Sequence, residues 1–288
     1  MCEYLIQTFG SQVYERGIVV GYVSLSDSSY SYDHRALGSL SSKLFYELTV
    51  KVFSQKKIPV YGFHQFAFTP LVVGSSTLHS SKPFCVSAYN CCAGIMITAS
   101  HNPAADNGYK IYWENACQII PPHDSGISKS IAENLSPWCR YDLLPLETAM
   151  ESVRDITDEA VAKYMAHATK TLHRNSAEMN SVVSLPSPHS QKCPRVMYTA
   201  MHGVGYGYVK ELLEHFALPA VTPVEVQRLP DPTFPTVTFP NPEEKGALTI
   251  ALQEADAKGL SLVMATDPDA DRFICCEKEK EGVGTRAW

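Results

Sequence analysis

Twice in this chain a short apolar run ends abruptly in a loop crowded with oxygen and nitrogen donors. Residues 94–97 (GIMI) run into Thr98-Ala99-Ser100-His101-Asn102-Pro103, and residues 261–265 (SLVMA) run toward Asp267-Pro268-Asp269-Ala270-Asp271-Arg272. Apolar runs of this length suit buried strands. Open α/β sheets place their ligands at the C-terminal ends of such strands. Residues 17–22 (GIVVGY), 58–61 (IPVY), 108–112 and 195–199 read as further strands. Apolar residues at Leu37, Leu40, Leu44, Phe45, Leu48 and Val52 recur with helical spacing, which predicts a helix beginning near Leu37.

Residues 123–135 and 157–173 also read as helices, the second capped by Thr157 or Asp158. So do a segment after the glycine-punctuated turn His202-Gly203-Val204-Gly205, ending near Phe216, and residues 247–258. Strand and helix alternate with short connections, so the expected class is α/β, a mixed or parallel sheet flanked by helices. Residues 136–153 and the proline-dense 229–242 read as irregular. No internal repeat shows at solenoid periods. The Ser-, Asn- and Pro-rich stretch 175–194 reads as a linker between a domain at 1–174 and a second at 195–288.

A length of 288 residues fits two domains at roughly 150 each. A composition 45% hydrophobic and 19% charged predicts a globular core. The formal net charge of −6 argues against nucleic acid as the main partner, while leaving room for a local basic pocket that binds a small anion. Residues 1–10 have neither the basic start nor the apolar run of a signal peptide, and no stretch approaches about 18 apolar residues. The expectation is a cytoplasmic protein with no membrane partner. The nine cysteines lack metal-site spacing; the adjacent pairs Cys91-Cys92 and Cys275-Cys276 lie in or beside apolar runs and read as buried free thiols.

The acidic loop is the sharpest chemical signal. Carboxylates at i, i+2 and i+4 point to one side of an extended backbone, and Pro268 favours an extended residue before it. Converging carboxylates repel one another unless a cation lies among them. Hard oxygen donors in small number suit Mg²⁺, which takes a phosphate oxygen readily into its shell. A calcium-binding EF-hand begins the same way but needs Gly at its sixth position and Glu at its twelfth, where Arg272 and Lys278 stand. The plain alternative is a solvated acidic turn, against which the flanking apolar runs weigh. In the serine loop, Ser100 follows a strand and can stand exposed at its end, with His101 adjacent and Lys110 shortly after. Taken alone the loop also reads as an ordinary Ser/Asn turn. The G-x-S-x-G elbow of hydrolases is absent.

Together the two loops resemble the α-D-phosphohexomutase superfamily. Its marks are the T-A-S-H-N-P loop followed by D-N-G-Y-K (here Asp106 to Lys110) and the D-P-D-A-D-R loop. The run from Gly94 to Asp124, His202-Gly203-Val204-Gly205 and the stretch from Asp231 to Glu244 are most similar to the eukaryotic phosphopentomutase, phosphoglucomutase-2-like and glucose-1,6-bisphosphate synthase branch. The likeness runs from about Gly17 to about Glu279 and is weak before Val60. It implies mixed-sheet α/β/α sandwich domains, two of the family's usual four. It also implies an intramolecular phosphotransferase acting on small phosphosugars, with one Mg²⁺ per chain and a sugar bisphosphate as intermediate and activator. Ser100 would carry the phosphoryl group and share the metal with Asp267, Asp269 and Asp271. Lys110 would assist proton transfer and His101 would position the serine. Arg272, Asn102 and His202 would contact substrate or phosphate. A monomer is the working expectation.

The chain also departs from the family pattern. The N-terminal G-T-x-G-[LI]-R segment finds no match, and relatives' early G-Y-D-x-R is here Gly21-Tyr22-Val23-Ser24, with Asp33-His34-Arg35 later. The sugar-selecting and phosphate-gripping loops of domains three and four are also absent. The expectation is a chain with the donor serine and its metal but weak or absent mutase turnover by itself. A metal-dependent sugar phosphatase, and a non-catalytic chain that binds phosphosugar or Mg²⁺, are the competing readings.

Overall fold

All five residues of β1 (Ile18–Tyr22) are buried, so this strand has a covered face on both sides. That is the signature of a central strand in a parallel sheet. A computed structural model describes residues 1–22, 36–37, 40–73, 84–138, 140–141, 144–172 and 194–278. The chain divides into two units, Met1–Ala99 with Ala105–Ala160, and Ser100–Ala104 with Val161–Trp288. The expected linker lies outside the described residues apart from Pro194, as does Asp33-His34-Arg35.

In the first unit β1 runs parallel to β4 (Val60–Gly62) on one side and β5 (Ala93–Ile97) on the other, with Ile18 opposite Val60 and Ala93. β7 (Val153–Asp155) continues the sheet in parallel beyond β4, and β6 (Lys110–Trp113) returns antiparallel beside β5. Side chains of β1 alternate between two apolar layers. Ile18 and Val20 join Leu5 of α1 (Cys2–Phe9), Val13 of α2 (Gln12–Arg16) and Val50 and Phe53 of α3 (Ser42–Gln55). The other face meets Val72 of α4 (Thr69–Val73), beneath which Gly21 sits too close for a side chain of its own. Helices therefore cover both faces. Among the described residues, the remaining helices of this part of the chain are α5 (Phe84–Ala88), α6 (His123–Glu133), α7 (Leu146–Met150) and α8 (Thr157–Leu172).

Three expectations need correction here. α3 starts at Ser42 rather than near Leu37, because residues 36–37 and 40–41 form a small antiparallel pair, β2 and β3. The helix begins where the Ser41 side chain accepts the Leu44 amide at 3.1 Å, an N-cap that outweighs apolar spacing. Residues 136–153 are not wholly irregular, since they hold α7 and lead into β7. At the start of α8 the Asp155 carboxylate accepts both the amide (2.9 Å) and the hydroxyl (2.7 Å) of Thr157, so Asp155 plays the capping role expected of Thr157 or Asp158.

The second unit is built on β8 (Val196–Thr199), parallel to β9 (Thr222–Pro223) and β10 (Leu262–Thr266), with β11 (Phe273–Glu277) antiparallel beside β10. α9 (Gly205–His215) follows the glycine-punctuated turn. Met197 and Val263 pack under Ala251 and Ala255 of α10 (Thr249–Ala257). The proline-dense stretch is irregular, as its composition implies, yet Phe234 and Val237 enter a core cluster with Met201, Leu248 and Ala265. β11 is an edge strand whose residues alternate in exposure. Cys91 and Cys92 are fully buried, but Cys275 is exposed and Cys276 only half-buried, because an edge strand covers one face at most.

The sheet orders are β6-β5-β1-β4-β7 and β11-β10-β8-β9. Numbered by appearance within each sheet, the first four strands of the five-stranded sheet and the four of the second sheet share a plan: antiparallel edge, loop-bearing strand, first strand, second strand. The topology repeats although the sequence shows no repeat. Among the described residues no helix is long and apolar enough to cross a membrane.

Candidate functional site

β10 delivers its C-terminal end directly into the acidic loop. Asp267 and Asp269 are fully buried and Asp271 is exposed, yet each offers an oxygen lying within 4.8 Å of the others. Convergence comes from a turn, not from the extended backbone that period-two spacing suggested. The Ala270 amide donates to the Asp267 carbonyl at 3.0 Å, and Ala270 sits at φ +56°. Asp267 is the hub: its Oδ1 accepts the Arg272 amide at 3.0 Å and its Oδ2 accepts the Ser100 hydroxyl at 2.8 Å. Burial, with the neighbouring charges of Asp269 and Asp271, pushes the Asp267 carboxyl up to about 9. Buried carboxylates this close need a proton or a cation to offset their repulsion. Few, hard, convergent oxygens are the donor set of Mg²⁺, so the residues fit that ion.

The turn at 201–205 clasps this loop from behind. Met201 and His202 both occupy the left-handed region, at φ +49° and +60°. That orients the Gly203 backbone so closely that a Cβ on it would lie 2.3 Å from Pro268 Cα, while the Val204 amide donates to the Pro268 carbonyl at 2.9 Å. A chain of side chains ties the turn to its surroundings. Thr199 Oγ1 accepts the Met201 amide (3.0 Å) and donates to Gln227 Oε1 (2.7 Å); Gln227 Nε2 donates to Thr236 Oγ1 (2.9 Å), which lies 2.7 Å from His202 Nε2. His202 is 1% exposed and burial lowers its pKa. The ring is thus held against Thr236.

The serine loop leaves β5, and Ser100 adopts φ +53° at 6% exposure. A non-glycine residue in that region stores strain of order 1–3 kcal/mol, a cost typical of functional loops. His101 Nδ1 lies 3.3 Å from Ser100 Oγ, and its ring is 6.0 Å from that of Phe239. Residues Ser100–Ala104 group with the second unit, so Asn102 does as well. Lys110 opens β6 in the first unit, opposite Met96. Gly108 allows the loop to double back, since a Cβ there would fall 2.1 Å from the Thr98 carbonyl oxygen. The geometry thus gathers Ser100, His101, the three aspartates and the Arg272 amide. It also brings in Gln227, which no sequence motif flagged, and Thr236 and Phe239, which lie in the 231–244 stretch that carried part of the resemblance without any role of their own.

The phosphoglucomutase/phosphomannomutase α/β/α domain I pattern matches residues 31–137, and the domain II pattern of the same family matches 163–282. The chain belongs to the phosphoglucomutase/phosphomannomutase family. Its domain I match contains the serine loop; its domain II match contains the clasping turn and the acidic loop. Within this family the chain is 42% identical over 277 residues to a probable phosphoribomutase of Schizosaccharomyces pombe, covering 96% of this chain and 41% of that protein. It is 39% identical to the human phosphopentomutase (98% and 41% covered) and 36% identical to the human glucose 1,6-bisphosphate synthase (98% and 41%). The chain spans about two fifths of the length of these curated relatives. The fold is shared with a putative phosphomannomutase from Thermus thermophilus, at a TM-score of 0.61 and 23% identity over 95% of this chain and 52% of that one.

Proposed function

We propose that this chain carries the phosphoryl-donor and metal-binding part of a phosphosugar mutase. Ser100 is the phosphoryl carrier, and Asp267, Asp269 and Asp271 hold one Mg²⁺ together with an oxygen on Ser100. The observation that carries this reading is the Ser100 hydroxyl, 2.8 Å from Asp267 in a cluster of three convergent carboxylates. Relatives named phosphoribomutase, phosphopentomutase and glucose 1,6-bisphosphate synthase support a sugar phosphate as substrate, with a pentose 1-phosphate favoured over glucose 1-phosphate.

When bound, Mg²⁺ supplies charge that offsets the negative charge building on a transferred phosphoryl group. The chain's own residues do the rest. Ser100 Oγ forms the new bond to phosphorus as the sugar oxygen of a bisphosphate leaves. Asp267 Oδ2, to which the serine hydroxyl is already directed, takes up the serine proton, and Lys110 protonates the released sugar oxygen. His101 holds the serine rotamer from 3.3 Å. Arg272 and Asn102 contact the phosphates. In turnover the phosphoryl on Ser100 passes to the free hydroxyl of a sugar monophosphate, giving a bisphosphate, which turns over and returns its other phosphoryl to Ser100 to complete the isomerisation.

The test is to incubate the chain with Mg²⁺ and glucose 1,6-bisphosphate and map the modification by peptide mass spectrometry, with Ser100→Ala and magnesium-free controls. Magnesium-dependent phosphate on Ser100 is expected. An unmodified Ser100 in folded protein overturns the carrier assignment. Steady release of inorganic phosphate from a sugar phosphate, without isomer formation, would make the chain a phosphatase instead.

A further inference from the structure

The acidic loop does not rest on its own hydrogen bonds alone. Pro268, the residue between its two buried carboxylates, is held from outside, by the Gly203 backbone pressed against it and by the Val204 amide on its carbonyl. Gly203 and Val204 are themselves fixed by what precedes them: Met201 and His202, both in the left-handed region. Each of those two is pinned by the same short relay. The Met201 amide rests on Thr199 Oγ1, the His202 amide donates to the Gln227 carbonyl at 3.0 Å, and the His202 ring meets Thr236. Gln227 joins them, its amide oxygen taking the Thr199 hydroxyl and its amide nitrogen donating to Thr236. Gln227 is 1% exposed, and both ends of its amide are engaged.

From this we infer that Gln227 and Thr236 are positioning residues that set the cation affinity of the Asp267–Asp269–Asp271 loop without touching the cation. The inference rests on the Mg²⁺ reading above. The relay has two properties that simple core packing lacks. It is directional, because an amide satisfied by Thr199 on one side and Thr236 on the other fixes a single orientation. It also ends on the backbone that faces Pro268, so its loss is transmitted to the spacing of Asp267 and Asp269. Groups that orient metal ligands from outside commonly change affinity by about 10–100-fold when removed.

The experiment is calorimetric titration of the full chain with MgCl₂, alongside thermal midpoints of the metal-free proteins. Gln227→Leu keeps the volume and removes both side-chain bonds; Thr236→Val removes only a hydroxyl, at an exposed position where folding is little at risk. Thr236→Ser restores that hydroxyl. Leu260→Ala, in the apolar cluster beneath α10, serves as a control that lowers stability by packing loss alone. Gln227→Leu and Thr236→Val are expected to weaken Mg²⁺ binding about tenfold, Thr236→Ser to bind like the unsubstituted chain, and Leu260→Ala to keep its affinity despite a lower thermal midpoint. Unchanged affinity in Gln227→Leu and Thr236→Val, or a loss matched by Leu260→Ala, overturns the inference while leaving the metal reading intact. If the unsubstituted chain binds no Mg²⁺, both fall.

Discussion

The two sheets share a strand plan and put a polar loop at the same place in it, yet the loops solve opposite problems. After β5 the chain presents one neutral hydroxyl on a strained backbone, Ser100 at φ +53°. After β10 it gathers three acids, two of them buried, on a turn. In the proposed function the first loop tolerates backbone strain to hold a weak nucleophile in one place, and the second tolerates electrostatic repulsion to keep charge ready for a cation. A common topology therefore supplies the location, while the chemistry is written in a handful of side chains, as expected when sites are grafted on a recurrent fold.

The sharpest way to break this comparison is to remove the hydroxyl. Ser100→Ala is expected to abolish phosphoryl acceptance from a sugar bisphosphate while leaving Mg²⁺ titration measurable. A variant that still becomes phosphorylated in the serine-loop peptide would move the carrier elsewhere. Next in size are the two backbone close approaches. Gly203→Ala must displace Pro268 and Gly108→Ala must displace Thr98, each at a cost of about 1–3 kcal/mol from overpacking. The first should weaken Mg²⁺ binding; the second should slow Ser100 modification and spare Mg²⁺ binding. Equal effects of both on metal affinity would erase the division of labour between the loops.

A smaller effect sets the signs of two titrations against each other. Asp267 without metal holds its proton up to about 9, above its ordinary value of 3.8. Its contribution to stability is present below that ordinary value and is lost as pH rises toward 9. His202 is lowered by burial, so its contribution is present above its ordinary value of 6.5 and is lost as pH falls below it. The thermal midpoint of the metal-free chain should therefore decline by several degrees toward alkaline pH, and saturating Mg²⁺ should remove that decline. Asp269→Asn should flatten it without metal by relieving like-charge repulsion. A metal-free midpoint that climbs through this range would contradict the assignment of buried repulsion to the acidic loop. The smallest effect is chemical. Exposed Cys275 should react with iodoacetamide in the native state, whereas Cys91, whose thiol burial pushes up to about 12, and Cys92 should react only on unfolding.

Both loops were legible because each combines a polar motif with an apolar run that announces a buried strand, and the α/β class followed from the same alternation. The rest was hidden for identifiable reasons. Leu37 and Leu40 carry helical spacing, but a short antiparallel strand pair can have it too, and only the Ser41 cap distinguishes them. β11 reads Phe273 to Glu277, too short and too mixed to declare an edge strand, so the exposure of Cys275 went unseen. His202 carries the residue type of a ligand contact, and nothing in its neighbours says that its ring is buried against Thr236, 34 residues on. Gln227 sits in no motif at all. Its role exists only once β8, the turn and the proline-dense stretch have been brought together.

The antiparallel partners β6 and β11 have a mechanical consequence. In most parallel sheets a ligand loop leads into a helix and is anchored to the sheet at one end only. Here the chain returns alongside the strand it has just left, Met96 opposite Lys110 and Thr266 opposite Phe273. Each loop is thus stapled at both feet to adjacent rungs of one ladder. It behaves as a stiff bracket, unable to swing open without unzipping hydrogen bonds, and slow amide exchange at the rungs flanking each loop would register that stiffness.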